Sequence, residues 1–240
     1  MKRFVFAWVV AVGIAAAVVG VFWARDACLS SPRLAIADVQ VEGARRLPAD
    51  SVVAASGVVG GTNILRLDSR EAERRLARNP WVASASVERH LPGTVVIRVT
   101  EREPVGLLAV RGWCAVDAAG NLLPVEAVRD TLELPLVAGC VLPSGLDAAR
   151  LRQAAGFLST VAAECAFLLR DLSEVNVADP EDLTITTVRS GTAVRFGGGD
   201  YAEKLARLLL VLEDLSGRAE MPLCIDLRFR GQAVVRFRGA

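Results

Sequence analysis

The hydrophobic pattern opens with an unbroken block. Residues 4–24 form a run of 21 positions without a charge. As a helix rising 1.5 Å per residue, such a run reaches about 32 Å, close to the roughly 30 Å of a bilayer's hydrocarbon core. Trp8, Phe22 and Trp23 stand towards its ends, where aromatic side chains favour the headgroup region. Lys2 and Arg3 precede the block, and Arg25 and Asp26 nearly cancel after it, so the positive-inside rule predicts a cytoplasmic N-terminus. A cleaved signal peptide is the alternative, because Ala15, Ala16 and Ala17 are suitably small. That site would cut the apolar run in its middle, which favours an uncleaved single span over 4–24. The predicted order is a cytoplasmic tail at 1–3, the span, and a juxtamembrane linker at 25–33.

Beyond the linker the pattern alternates between periods of two and of three to four. Ile36 to Val41 reads as a strand closed by Gly43. Pro48 and Gly57 bracket a short helix over Ala49 to Ser56. Asp68 is a candidate cap for a second helix, with Glu71 placed to complete a capping-box-like pair. Ala72 and Leu76 form that helix's apolar stripe, and Arg70, Arg74, Arg75 and Arg78 its solvent face. Trp81, Ala83, Ala85 and Val87 then alternate against Ser84, Ser86 and Glu88, with Trp81 as the expected anchor against the helices. Val95, Ile97 and Val99 repeat the alternation. Leu91-Pro92-Gly93-Thr94 between them matches a type II turn, whose third residue needs positive φ. The result is a βααββ unit over 34–103.

Residues 104–240 predict a second, mixed α/β domain. Strands are expected at Leu107–Val110, Trp113–Val116, Leu122–Leu123 and Leu134–Val137. Leu151, Ala155, Leu158, Ala162, Cys165 and Leu169 recur at helical spacing, predicting one long helix from Asp147 to Arg170. Leu183–Val188 and Thr192–Phe196 pair across Ser190-Gly191. A helix over Tyr201–Leu215 buries Leu205, Leu208, Leu209 and Leu212, and strands at Leu223–Phe229 and Ala233–Phe237 meet at Arg230-Gly231. The fold class is α+β, ending in an antiparallel hairpin.

Composition narrows the function. The 240 residues are 52% hydrophobic and 23% charged, with a mean hydropathy of +0.39, which excludes a disordered chain and a multi-span membrane protein. Without Lys2 and Arg3, 26 basic residues face 27 acidic ones, leaving no electrostatic footprint for nucleic acid. Cys114, Cys140, Cys165 and Cys224 lack metal-ligand spacing and His90 is the single histidine, so no metal is expected. Disulfide bridges and buried thiols both remain open for these cysteines. Gly197-Gly198-Gly199 matches no phosphate-binding fingerprint and reads as a connector capped by Asp200. Asp179, Glu181 and Asp182 read as a solvated turn. The arginine-rich helix face is solvated, or a contact for an acidic partner segment. No nucleophile accompanies His90, and neither an enzyme, a cofactor nor a small-molecule substrate is expected.

Val39-Gln40-Val41-Glu42-Gly43, Gly61-Thr62-Asn63-Ile64-Leu65-Arg66-Leu67-Asp68, Asn79-Pro80-Trp81-Val82, Val87-Glu88-Arg89-His90-Leu91-Pro92 and Val99-Thr100-Glu101-Arg102-Glu103-Pro104 resemble the FtsQ/DivIB cell-division proteins. The resemblance runs in the same order over nearly the whole chain. It implies a POTRA domain at 34–103 and the family's β domain at 104–240, behind one inner-membrane span. It also implies a location at the division septum, and FtsB/FtsL-type proteins and other divisome members as partners in regulating septal peptidoglycan synthesis. Many family members carry a longer cytoplasmic tail than Met1–Arg3, so contacts made through such a tail are not expected here. POTRA units also serve secretion and outer-membrane assembly, the alternative function. Ala233–Phe237 has no later strand in this sequence to cover it, and an apolar edge of this kind invites strand addition. In the resembled family the terminal hairpin receives a segment of FtsB, which implies Arg228, Phe229, Gly231, Ala233, Val234, Val235, Arg236 and Phe237 as the partner-binding residues. An edge guarded only by Arg230, Arg236 and Arg238 is the alternative.

Overall fold

An uninterrupted helix, α1 (Lys2–Ser30), opens the chain. The computed structural model describes residues 2–110, 112–125, 133–216 and 220–237, with backbone only for 2–7, 9–12 and 15. Among these described residues no helix is long and apolar enough to cross a membrane, and the expected span at 4–24 falls in part outside the description. The chain divides into two compact units, Met1–Glu101 and Arg102–Ala240.

After a 3-10 turn at Pro32–Leu34, the first unit continues as β1 (Asp38–Glu42), α2 (Ala49–Ser56), α3 (Ser69–Leu76), β2 (Val82–His90) and β3 (Thr94–Glu101). Strand β3 is central, parallel to β1 and antiparallel to β2. Helix α2 ends where Gly57 takes φ 73, a left-handed turn that glycine enters without strain. Asp68 accepts the Glu71 N–H at 3.1 Å, capping α3. The reciprocal half of a capping box is absent: the Glu71 carboxylate turns instead to Arg74 and Arg75, at 2.8 and 3.1 Å. Ile36, Val52, Ile64, Leu76, Val87 and Ile97 belong to the apolar core of this unit.

Two expectations for the hairpin are corrected. The pairing of β2 with β3 shifts between Val82 and Ser84, so a bulge breaks the alternation and leaves Ala83 exposed. Val82, not Trp81, joins the core cluster, although Trp81 is also buried. Gly93 is not in the positive-φ region, so the turn is not type II. Glycine is required there for closeness: a Cβ would stand 2.4 Å from the Ala35 carbonyl oxygen, and the Gly93 carbonyl accepts the Ala37 N–H at 2.8 Å.

The second unit contains β4 (Pro104–Ala109), β5 (Trp113–Asp117), β6 (Leu122–Pro124), β7 (Leu136–Ala138), β8 (Val141–Leu142), β9 (Gly145–Leu146), α4 (Ala148–Glu164), α5 (Ala166–Asp171), β10 (Leu172–Asn176), β11 (Thr184–Thr187), β12 (Ala193–Arg195), α6 (Tyr201–Leu215), β13 (Cys224–Asp226) and β14 (Val234–Arg236). Nine strands form one mixed sheet in the order β14-β13-β12-β11-β10-β7-β4-β5-β6, while β8 and β9 pair separately. The register aligns Val137, Val175, Ile185, Val194, Ile225 and Val235 in a row across six strands. That row packs into one core with Phe157, Leu158, Leu205 and Leu208 of the helices.

The expected long helix is two helices, because Cys165 leaves helical geometry at φ −147, ψ 60. Apolar spacing did not reveal the break, since Cys165 and Leu168 on either side of it still bury into the same core. All five cysteines are free thiols, with Cys140 and Cys165 buried and their thiol pKa values pushed up by that burial. Of the expected solvated acidic turn, Asp179 and Glu181 are exposed, and only Asp182 is corrected. Asp182 is withdrawn from solvent between the guanidinium groups of Arg195 and Arg228.

Candidate partner-docking edge

Strand β14 closes the sheet, and among the described residues no strand lies beyond it. Its pairing is antiparallel to β13, with Cys224 opposite Arg236, Ile225 opposite Val235 and Asp226 opposite Val234. The Ala193 N–H bonds the Leu223 carbonyl and the Leu227 N–H bonds the Arg195 carbonyl, at 3.1 and 2.9 Å, so Ile225, between them, turns its backbone towards β12, while the Leu223 N–H crosses to the Arg236 carbonyl of β14 at 2.8 Å. By the alternation of a ladder, Cys224 and Asp226 turn theirs towards β14. Val235, opposite Ile225, therefore points its N–H and C=O away from β13, to the open edge.

Helix α6 runs beside this edge. Asp200 accepts the N–H groups of Ala202 and Glu203 at 3.0 and 3.3 Å, fixing where the helix starts. One turn further on, Arg207 donates to the carbonyls of Phe229 and Gln232 at 2.8 and 3.3 Å, tying the hairpin turn to the helix. Gly231 takes φ 69 in that turn. Between helix and strand lies an open groove of about 410 Å³, whose helix wall is Arg207, Leu210, Val211, Asp214 and Leu215. Leu210 is 67% exposed, an apolar side chain facing water beside an edge strand.

The eight expected binding residues separate into groups here. Gly231, Ala233, Val235 and Phe237 line the groove. Val234 and Arg236 alternate away from Val235 onto the opposite face of the sheet, and both are exposed. Phe229 is half-exposed in the turn. Arg228 is engaged within the fold: it donates to both carboxylate oxygens of Asp226, at 2.7–3.2 Å, and reaches Asp182 at 3.4 Å. The Arg228 guanidinium holds the Asp226 carboxyl below the usual carboxylate range. Gly197 makes room for it, since a Cβ there would stand 2.9 Å from the Arg228 side chain. Sequence reasoning missed the helix wall of the groove. The signal was present, because Leu210 widens the apolar stripe of α6 beyond the residues that pack on the core.

Among the described residues this edge offers main-chain hydrogen bonds beside an apolar slot. His90 lies in the other unit, exposed, with Glu88 at 3.4 Å. The βααββ unit followed by a mixed-sheet unit is the two-domain order that the resemblance implied. Residues 34–102 match the model of the FtsQ-type POTRA domain, and residues 109–228 that of the C-terminal region of cell division protein FtsQ/DivIB. Cell division protein FtsQ of Syntrophotalea carbinolica is 32% identical, over 82% of this chain and 72% of its own length. The proteins of the same name in Geobacter sp. strain M21 and Anaeromyxobacter sp. strain K are 28% and 31% identical, over 82% and 79% of this chain and 74% and 66% of their own. The chain belongs to the FtsQ/DivIB family of cell division proteins, and the secretion and outer-membrane alternative is not favoured. The C-terminal match stops at Arg228, short of the edge strand.

Proposed function

We propose that this chain is a non-enzymatic scaffold of the bacterial divisome. In this reading residues 4–24 are the single inner-membrane span, residues 1–3 are cytoplasmic, and the domains at 34–103 and 104–240 are periplasmic at the septum. The β14 edge receives an extended segment of an FtsB/FtsL-type division protein, and through that contact the chain helps to regulate septal peptidoglycan synthesis. The observation that carries the reading is the outward-facing N–H and C=O of Val235 beside the groove of α6. Strand addition there supplies affinity through main-chain bonds and specificity through the apolar slot.

The experiment is Val235→Pro, measured as affinity for the extracytoplasmic segment of the FtsB-type partner. Proline removes the outward N–H and leaves the β13 ladder its bonds. Binding should weaken at least tenfold, a loss of about 1.4 kcal/mol. A folded variant with unchanged affinity rules the site out.

A further inference from the structure

The first unit takes hold of α1 where that helix ends. Asn63 Nδ2 donates to the Cys28 carbonyl at 2.9 Å, while its side-chain oxygen accepts the Leu65 N–H at 3.0 Å. Ser30 Oγ donates to the Asp26 carbonyl at 2.7 Å, and the Ser31 N–H to that of Cys28 at 3.3 Å. The Cys28 carbonyl, in the last helical turn, is thus met by protein donors, and the loop at 57–67 is fastened to the helix end. Around this junction lies an open groove of about 290 Å³ lined by Leu29, Ser31, Pro32, Thr62, Asn63 and Arg66, among others. The loop holds no acidic residue. Arg33 and Arg66 are exposed, Arg25 and Asp26 balance each other, and Val59 and Leu65 are 61% and 41% exposed.

We infer that this junction rests on anionic phospholipid headgroups, with Arg33 and Arg66 taking phosphate and Val59 and Leu65 lying at the interface. The inference depends on the proposed reading of 4–24 as a membrane span. From Ala24 to Cys28 the helix rises about 6 Å, and the headgroup layer outside the hydrocarbon is about 5–7 Å deep. Cys28, and Asn63 bound to it, therefore stand at the outer margin of that layer, within reach of long arginine side chains. Two basic groups, exposed apolar residues and a loop free of carboxylates suit an anionic lipid surface better than a second protein's apolar face.

The test places the full-length protein in nanodiscs of phosphatidylcholine alone and of phosphatidylcholine with phosphatidylglycerol, and follows amide exchange across 57–67. Exchange should be at least about threefold slower in the anionic discs. Arg33→Glu with Arg66→Glu should abolish the difference while the amides of Val95–Val99 keep their protection. Should those core amides lose protection, Arg33→Gln with Arg66→Gln serves in its place, with the same expected loss. A protein that inserts but exchanges equally in both discs overturns the headgroup contact alone. A protein that does not insert, or that alkaline carbonate strips from membranes, overturns the span and this inference with it.

Discussion

Three consecutive backbone N–H groups converge on one carboxylate at the end of β3. Glu101 accepts from Arg45 at 2.9 Å, from Arg46 at 2.9 and 3.0 Å, and from Leu47 at 2.8 Å, fixing the loop before α2. Arg102, the next residue, donates to Asp117 Oδ2 at 2.9 Å, and Asp117 in turn holds the hairpin turn through the Asn121 N–H at 2.8 Å. Burial pushes the Glu101 carboxyl up, but the N–H groups of Leu47, Arg45 and Arg46 outweigh it and leave the pKa lowered. Asp117 follows the same logic, its burial outweighed by bonds from Asn121, Arg102 and Ala119. In the sequence Thr100-Glu101-Arg102-Glu103-Pro104 served only as a mark of resemblance, because its partners are far along the chain and no local pattern announces them. A lowered carboxyl pKa stabilises the fold fully above the unfolded value, about 4.3 for glutamate, and loses that contribution as pH falls through the folded value. Glu101→Gln should therefore destabilise the first unit by about 2 kcal/mol at neutral pH, the scale of hydrogen bonds to a charged group. Urea unfolding at neutral and acidic pH checks this: the difference from the parent protein should shrink on acidification. A constant difference would mean that the charge plays no part.

Among the elements, helix limits were the most legible. The helix bounds Ala49–Ser56 and Tyr201–Leu215 were readable because proline, glycine and aspartate stand where helices start and stop. The break at Cys165 was not, since its φ, ψ leave no trace in an apolar spacing that continues across it. Strand β10 was missed because Leu172–Asn176 follows α5 directly, with no turn residue to mark the change. The hairpin turn was placed correctly and typed wrongly, as Gly93 answers to a distant backbone and not to its own φ. The two accounts differ over one substitution. A type II turn tolerates asparagine at the positive-φ position, whereas any Cβ here meets the Ala35 carbonyl. Gly93→Asn should destabilise as severely as Gly93→Ala, by about 2 kcal/mol or more, as overpacking against fixed backbone does. Thermal unfolding of both variants decides it: an asparagine variant close to the parent would restore the type II turn.

Over the whole molecule, each unit keeps its own apolar core, and the sheet of the second finishes in a strand whose outer backbone groups have no partner among the described residues. The sequence located that strand and its apolar character; it did not disclose that Arg228 is held by Asp226 and Asp182, or that α6 supplies the other wall of the groove. Arg228 is charged, near the edge and contiguous with it, and only the fold shows the two carboxylates around it. Whether β14 accepts a partner strand reduces to the state of one amide. Hydrogen exchange resolved at Val235, in the full-length protein with and without the extracytoplasmic segment of the proposed FtsB-type partner, reads that state directly. The Val235 amide should exchange freely in the protein alone, while those of Val234 and Arg236, bonded to β13, are already protected. On complex formation the Val235 amide should become protected by at least about a hundredfold, as a ladder hydrogen bond requires. A saturated complex in which the Val235 amide still exchanges freely would contradict strand addition at this edge.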